Sequence, residues 1–446
     1  MNTSLKEDEI RAVGYVQLVR ENPNFRYLWS GQIVSLLGDW FNLIASAALI
    51  ASLTQSGVAV GGLFVVRMLA PFLVSPFAGV AADRYNRKHL LIATDIARAI
   101  TVFGFLLVRE PGQVWLLYAL TAIQLAISGF FFPTRNAILP DIVVREELGA
   151  ANALSSATWS VMLALGAALG GIVAGQWGVY PAFIIDGLTF LLSAALIARI
   201  VYHHRPAPEA NDQQIGAALG QYVDGLRFLR RHTDNLVITM HKGAFALVAG
   251  GAFAVIQVVL AEEIFVIGEG GGTGLGLLYA TMGIGTGVGP IIARRFTGDR
   301  DGPLRIALAL SYGMAAIGIA MMAPLASFPV VLVGTILRGV GGGIGWVFAT
   351  QLLLQLVPDR VRGRVFSTEF AFFTLMSAIS SAAGGWLLDN TSLGISGLLW
   401  LTAGALLVPG LLWALWSFVW RRPVINPVQE KEGSTEAVEV ERLPEV

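Results

Sequence analysis

A chain of 446 residues that is 55% hydrophobic and only 13% charged, with a mean hydropathy of +0.67, is not a soluble globular protein; soluble domains carry about 25% charged residues. Its 30 basic and 30 acidic residues cancel, and net charge says little in a membrane protein, where charge is read loop by loop. The absence of cysteine excludes disulfides, thiolate metal sites and thiol redox chemistry.

Residues 1–24 are polar, mix acids with bases and lack the short apolar core of a signal peptide, so they are expected to stay as a cytoplasmic tail. About twelve apolar stretches of membrane length follow, near Phe25–Leu53, Gly57–Ala82, His89–Val108, Gln113–Ile138, Leu148–Gly175, Tyr180–Val201, Leu236–Ala261, Thr273–Ala293, Leu304–Met322, Phe328–Leu356, Val365–Leu388 and Leu393–Trp420. Residues 202–235 form a hydrophilic linker with a candidate amphipathic piece, Ile215 to Leu229. This linker separates a bundle over 25–201 from one over 236–420. The Glu-rich end, 421–446, has no apolar period and is expected to be a disordered cytoplasmic tail.

Loop charges set the orientation. Arg84, Arg87, Lys88, Arg135, Arg145, Arg199, Arg294, Arg295, Arg360, Arg362 and Arg421 all fall on one side of the alternating spans, whereas the other side holds Arg109. Bases mark the cytoplasmic side, so both termini are expected there. The two halves also echo each other. Pro140-Asp141 recurs as Pro358-Asp359, Gly170-Gly171 as Gly384-Gly385, and Gly79 with Arg84 as Gly289 with Arg294, although Ala293 stands where Asp83 would repeat.

Ionisable residues inside spans point to function, because burying them is costly. Asp39 lies roughly 20 Å into the first span and Arg67 roughly 15 Å into the second, so the two are at similar depth on adjacent antiparallel helices. A coupling or substrate-binding acid beside a base is one reading; a buried structural ion pair is the other. Arg338, at mid-depth in span 10, and Glu369 in span 11 form a second possible pair. Asp186 is a further cavity candidate, and Asp95 with Arg98 at i, i+3 reads as a self-satisfied bridge. Span 4 offers only Thr121 and Gln124 at comparable depth. Trp40, Phe41, Phe370, Phe372, Phe373 and Met376 suit an apolar cavity or plain packing equally well.

The glycine runs Gly283–Gly289 and Gly339–Gly345 are not dinucleotide loops, since no soluble strand precedes them; they are expected to be close-packing or hinge segments. The chain has no Gly-Lys-Ser/Thr phosphate loop, so energy is expected from a gradient. The five histidines, His89, His203, His204, His232 and His241, all read as lying in or near cytoplasmic loops, which argues against a metal site or enzyme at depth.

Gly79, Asp83, Arg84, Arg87 and Lys88 resemble the loop signature of the major facilitator superfamily, with Asn86 where a second glycine is usual. Asn tolerates the left-handed backbone that a glycine would serve. The resemblance implies an all-α membrane protein of two pseudo-symmetric six-helix halves, with that loop between helices 2 and 3 on the cytoplasmic side. It further implies that Asp83 locks against helix 11 when the transporter opens outward. Gly166, Gly170 and Gly171 resemble the antiporter signature of drug exporters, with Ala167 in place of its proline. The stretches Ser35–Trp40, Phe132–Asp141 and Ala151–Leu154 resemble a bacterial exporter branch that includes enterobactin exporters and macrolide efflux proteins.

The expectation is a proton-coupled secondary exporter of a small amphiphilic molecule, drug-like or siderophore. It is expected to be monomeric, in the cell membrane, with no cofactor, no nucleic-acid partner and no enzymatic activity. A lipid or lysolipid flippase of the same fold, and a non-transporting sensor or scaffold, are the alternatives.

Overall fold

The computed structural model describes residues 14–202, 226–298 and 300–420. The expected tail over 421–446, most of the 202–235 linker and His203 and His204 lie outside the described residues. So do Gly79, Asp83 and Arg84 beyond their helical backbone.

Among the described residues, twelve helices are long and apolar enough to cross a membrane. In chain order they are α1 (Pro23–Thr54), α2 (Gly57–Arg84), α3 (Arg87–Gly104), α4 (Val114–Ile142), α5 (Arg145–Trp177), α6 (Val179–Ala198), a broken α7 (Thr233–Ala249 and Gly251–Val259), α8 (Gly272–Thr297), α9 (Asp301–Met322), α10 (Phe328–Leu356), α11 (Asp359–Asn390) and α12 (Gly394–Leu415). An all-α polytopic membrane protein is therefore the observed class.

Helix ends follow local chemistry. The Asn22 side chain caps α1 by accepting from the Phe25 amide at 2.9 Å, with Pro23 pre-set at the first helical position. Ser56 caps α2 through the Ala59 amide at 3.2 Å, and Asn86 caps α3 through the His89 amide at 3.2 Å. Asn86 has φ −60° and ψ 112°, so it serves as a helix cap and not as the left-handed turn residue expected from its place in the loop signature.

The expected N-terminal tail is partly docked. A short helix, Tyr15–Glu21, buries Leu18 completely, and the Asn22 amide donates to the Ile142 carbonyl at 2.9 Å and to Glu147 at 2.9 Å. Hydrophobic contact at Leu18 makes this segment part of the bundle.

Glycines set the closest helix approaches, where a side chain would collide with a neighbouring backbone. In the first half, Gly166 lies against Trp40 and Gly170 against the backbone of Phe41, both in α1. The run Gly283–Gly289 packs on α5 and α10, with Gly283 on Ala164 and Gly289 on Val340, and Gly339 and Gly343 return that packing from α10 onto Met282 and Thr286.

The halves join along two seams. Gly57 and Gly61 of α2 face Gly385 and Ser381 of α11, while Gly171 and Gly175 of α5 face Gly276 and Thr273 of α8. Each seam lies at the end where α2 and α8 begin and α5 and α11 finish, opposite the base-rich end. Phe370 is three turns from Ser381 on the same face of α11, on the base-rich side of that seam, and is 48% exposed.

Candidate functional site

The mid-depth charges of the first half gather around one guanidinium. Arg98 in α3 is 1% exposed and donates to the Asp95 carboxylate one turn earlier. It also donates to Ser35 at 3.4 Å and stands 3.9 Å from the Asp39 carboxylate in α1. The rings of Phe131 and Phe190 hold it from two sides, at 4.4 and 4.2 Å from the guanidinium carbon. Asp186 of α6 completes the cluster. It is fully buried beside Asn42. Gly38 leaves room for it, since a side chain there would overlap the Asp186 carboxylate.

Asp39 is the accessible member of the ion pair, its side chain 26% exposed against 2% for Arg98. Its ion-pair partner is Arg98, not the expected Arg67. Arg67 is half-buried and acts on Asp39 and Asp186 through space, without a salt bridge to either among the described residues. The Asp95 and Arg98 pair is likewise not self-satisfied, because Arg98 also reaches Ser35 and Asp39 of α1. Next to Asp39, Trp40 reaches across to Tyr279 of α8, ring centres 5.7 Å apart, a contact between the two halves.

The second half places its charges differently from the expected Arg338 and Glu369 pair. Glu369 of α11 pairs with Lys242 of α7 at 3.0 Å, both side chains about 5% exposed. Lys242 also donates to Thr350 of α10 at 2.6 Å and lies 4.3 Å over the Trp346 ring. Arg338 donates instead to the carbonyl of Ala249 and lies 4.4 Å over Phe253. That carbonyl is the last of the first segment of α7, freed by the break at Gly250, so Arg338 pins a discontinuous helix. Thr121 and Gln124 are buried in α4, and the Thr121 hydroxyl and the Gln124 carbonyl oxygen lack partners.

His241 departs from the expected loop position. It is buried in α7 beside Tyr312 and Trp413, with ring centres 4.9 and 5.1 Å away. Of the aromatic candidates, Trp40 packs on Tyr279 across the halves and Phe370 is exposed, whereas Phe41 packs on Gly170 and Phe372 on Gly243.

At the base-rich end, Arg87 donates to Asp141 at 2.7 Å and to the Ala137 carbonyl at 3.0 Å, tying α3 to α4. Tyr202 donates to the same carboxylate at 3.2 Å. Partial burial, then the Asp141 charge, pushes its hydroxyl above the usual tyrosine range, so it stays a donor at physiological pH. Arg135 is buried in α4 and donates to Gln32 at 2.6 Å.

The sequence reading passes over Lys242 and takes Arg98 only as half of a local pair with Asp95. Lys242 sits about nine residues into a span, and a charge there was the available signal. For Arg98, the i, i+3 acid supplied a local partner that concealed the distant ones.

A relative in Bacillus subtilis (strain 168), the uncharacterized MFS-type transporter YfiS, is 28% identical over 402 residues, covering 88% of this chain and 92% of its own. BacE of the same strain, provisionally named a bacilysin exporter, is 25% identical over 359 residues, covering 80% and 87%. The crystal structure of a bacterial homologue of the iron transporter ferroportin in its inward-facing state superposes with a TM-score of 0.67 at 14% identity, over 89% of this chain and 98% of that one. The sequence pattern of the Major Facilitator Superfamily matches residues 28–267 and 243–444, and the chain belongs to that family of transporters.

Proposed function

We propose that this transporter exports a small amphiphilic organic molecule, drug-like or siderophore, in exchange for protons. It does so as a monomer in the cell membrane, with both termini in the cytoplasm, by alternating access to a cleft between its two halves. One observation carries the reading. Asp39, Asp95 and Asp186 share mid-depth with Arg98 and Arg67. Three carboxylates facing two guanidiniums are one positive charge short of neutral, and a proton is the smallest species that supplies it.

Asp39 is the exposed member, so it is the one through which proton and substrate compete. Arg98 relays that competition, since any change at Asp39 alters the charge balance that Asp95 and Asp186 feel. In the second half, the Lys242 and Glu369 pair and Arg338 hold α7, α10 and α11 together around the cleft. Trp40 and Phe370 give the substrate apolar surface. The signature residues Gly79, Asp83, Arg84, Arg87 and Lys88 form the cytoplasmic gate, and Gly166, Gly170 and Gly171 keep α5 close to α1 and α8. The name of BacE supports the export direction, and seams that join the halves at the end opposite the base-rich one support a cytoplasm-facing state.

Thermal unfolding of the purified protein against a panel of drugs, siderophores and lysolipids identifies ligands by mass action. Stabilisation by an amphiphilic drug or siderophore, and efflux of it from cells that stops when a protonophore is added, is the expected result. Stabilisation by lysolipids alone would point to a flippase.

A further inference from the structure

At the far end of the molecule, the first turn of α2 depends on a residue of the other half. A helix start leaves four backbone amides without partners. In α2 the first regular helical bond runs from the Val60 amide to the Ser56 carbonyl at 3.1 Å, and of the amides before it that of Ala59 donates to the Ser56 hydroxyl oxygen at 3.2 Å. Those of Gly57 and Val58 are served by Asp389, at the end of α11. The Gly57 amide donates to one carboxylate oxygen at 2.8 Å and the Val58 amide to the other at 3.0 Å. The Ser56 hydroxyl donates to the same carboxylate at 2.6 Å. A negative charge at a helix N-terminus is also favoured by the helix dipole. The fit needs bare backbone on both sides, since a side chain at Gly385 would collide with the Gly57 carbonyl.

The other seam lacks this device. Gly385 repeats Gly171, and four residues further on Asp389 stands where the first half has Gly175. Gly175 packs against Thr273 with no side chain to donate or accept. One far-end seam is thus closed by small-residue contact and a neutral hydrogen bond, from the Thr273 hydroxyl to the Gly171 carbonyl at 3.3 Å, and the other by a charged latch.

We propose that Asp389 is the residue that holds the far-end gate shut, by capping α2 across the two halves, and that the transport cycle breaks this cap each time the far end opens. The proposal rests on the alternating-access reading above. Asp389 is itself exposed, so water replaces its bonds on opening and the gate can release without burying unpaired groups. Ser56 and Val60 also line a hollow of about 550 Å³ at this end, beside Glu262 and Glu263. Separation of α2 from α11 would open the cleft into that hollow.

The chain has no cysteine, so single cysteines report access without background. Val60, 1% exposed, reports the far end, and Phe370, 48% exposed, reports the base-rich side of the seam. With Asp389→Ala, labelling at Val60→Cys should rise about tenfold, since three bonds to the carboxylate are lost and water replaces most of their worth, while labelling at Phe370→Cys falls. Ser56→Ala, which spares both backbone bonds, should shift both in the same directions by less. Unchanged labelling at both sites in folded Asp389→Ala protein overturns the latch. A rise at Val60→Cys with no fall at Phe370→Cys also overturns it, because that marks local fraying of α2. If the unaltered protein shows no reciprocal change at the two sites when substrate is added, it is the alternating-access reading that fails.

Discussion

Asp39 and Arg98 stand 3.9 Å apart across α1 and α3, while Arg98 is bonded to Asp95 within its own helix. One guanidinium therefore answers to two carboxylates, one accessible and one fully buried. Arg98→Met should destabilise the protein by about 3–5 kcal/mol, since it strands buried charge. Adding Asp95→Asn should recover much of the loss. Thermal unfolding of both variants in detergent tests this, and equal loss in single and double variants would mean that Arg98 acts by packing between Phe131 and Phe190 alone.

The Lys242 and Glu369 pair behaves as a closed unit. Lys242→Met alone should cost about 3–5 kcal/mol, because Glu369 is left buried without its counter-ion. The double variant Lys242→Met with Glu369→Gln should be near the parent in unfolding temperature. Its transport rate separates structure from coupling: a stable double variant that no longer transports places this pair in the cycle.

Gly171 tests the seam that has no latch. A larger side chain there meets the Gly272 carbonyl, 2.8 Å from the position of an added Cβ. Gly171→Val should destabilise by about 1–3 kcal/mol through overpacking. It should also raise thiol labelling at the far end of α5. Full activity with unchanged labelling would show that α5 and α8 have slack.

The spans and the two-half layout were legible in the sequence because membrane insertion is a local, compositional demand: each helix must bury its own backbone in lipid. Gly170-Gly171 and Gly384-Gly385 were legible for the same reason, since close approach requires small residues wherever it occurs. The charge network was only half legible. Depth could be counted along each helix, which found Asp39, Asp186, Arg338 and Glu369. Partnership depends on helix rotation and neighbour choice, which a single sequence does not carry. Arg338 went to the Ala249 carbonyl because α7 breaks at Gly250, and the flanking apolar run hid that break. Asp389 was invisible as a cap because its partners, Ser56 to Val58, belong to the other half.

Transport in proteoliposomes with an imposed pH gradient, comparing the parent with Asp39→Asn, tests proton coupling at the cluster most directly. The parent should concentrate substrate against its gradient and lose that ability when a protonophore collapses the proton gradient. Asp39→Asn should lose uphill transport while keeping downhill exchange of labelled for unlabelled substrate, because the cleft and its apolar walls remain. If Asp39→Asn still concentrates substrate, Asp39 is a structural partner of Arg98 and the proton is carried elsewhere.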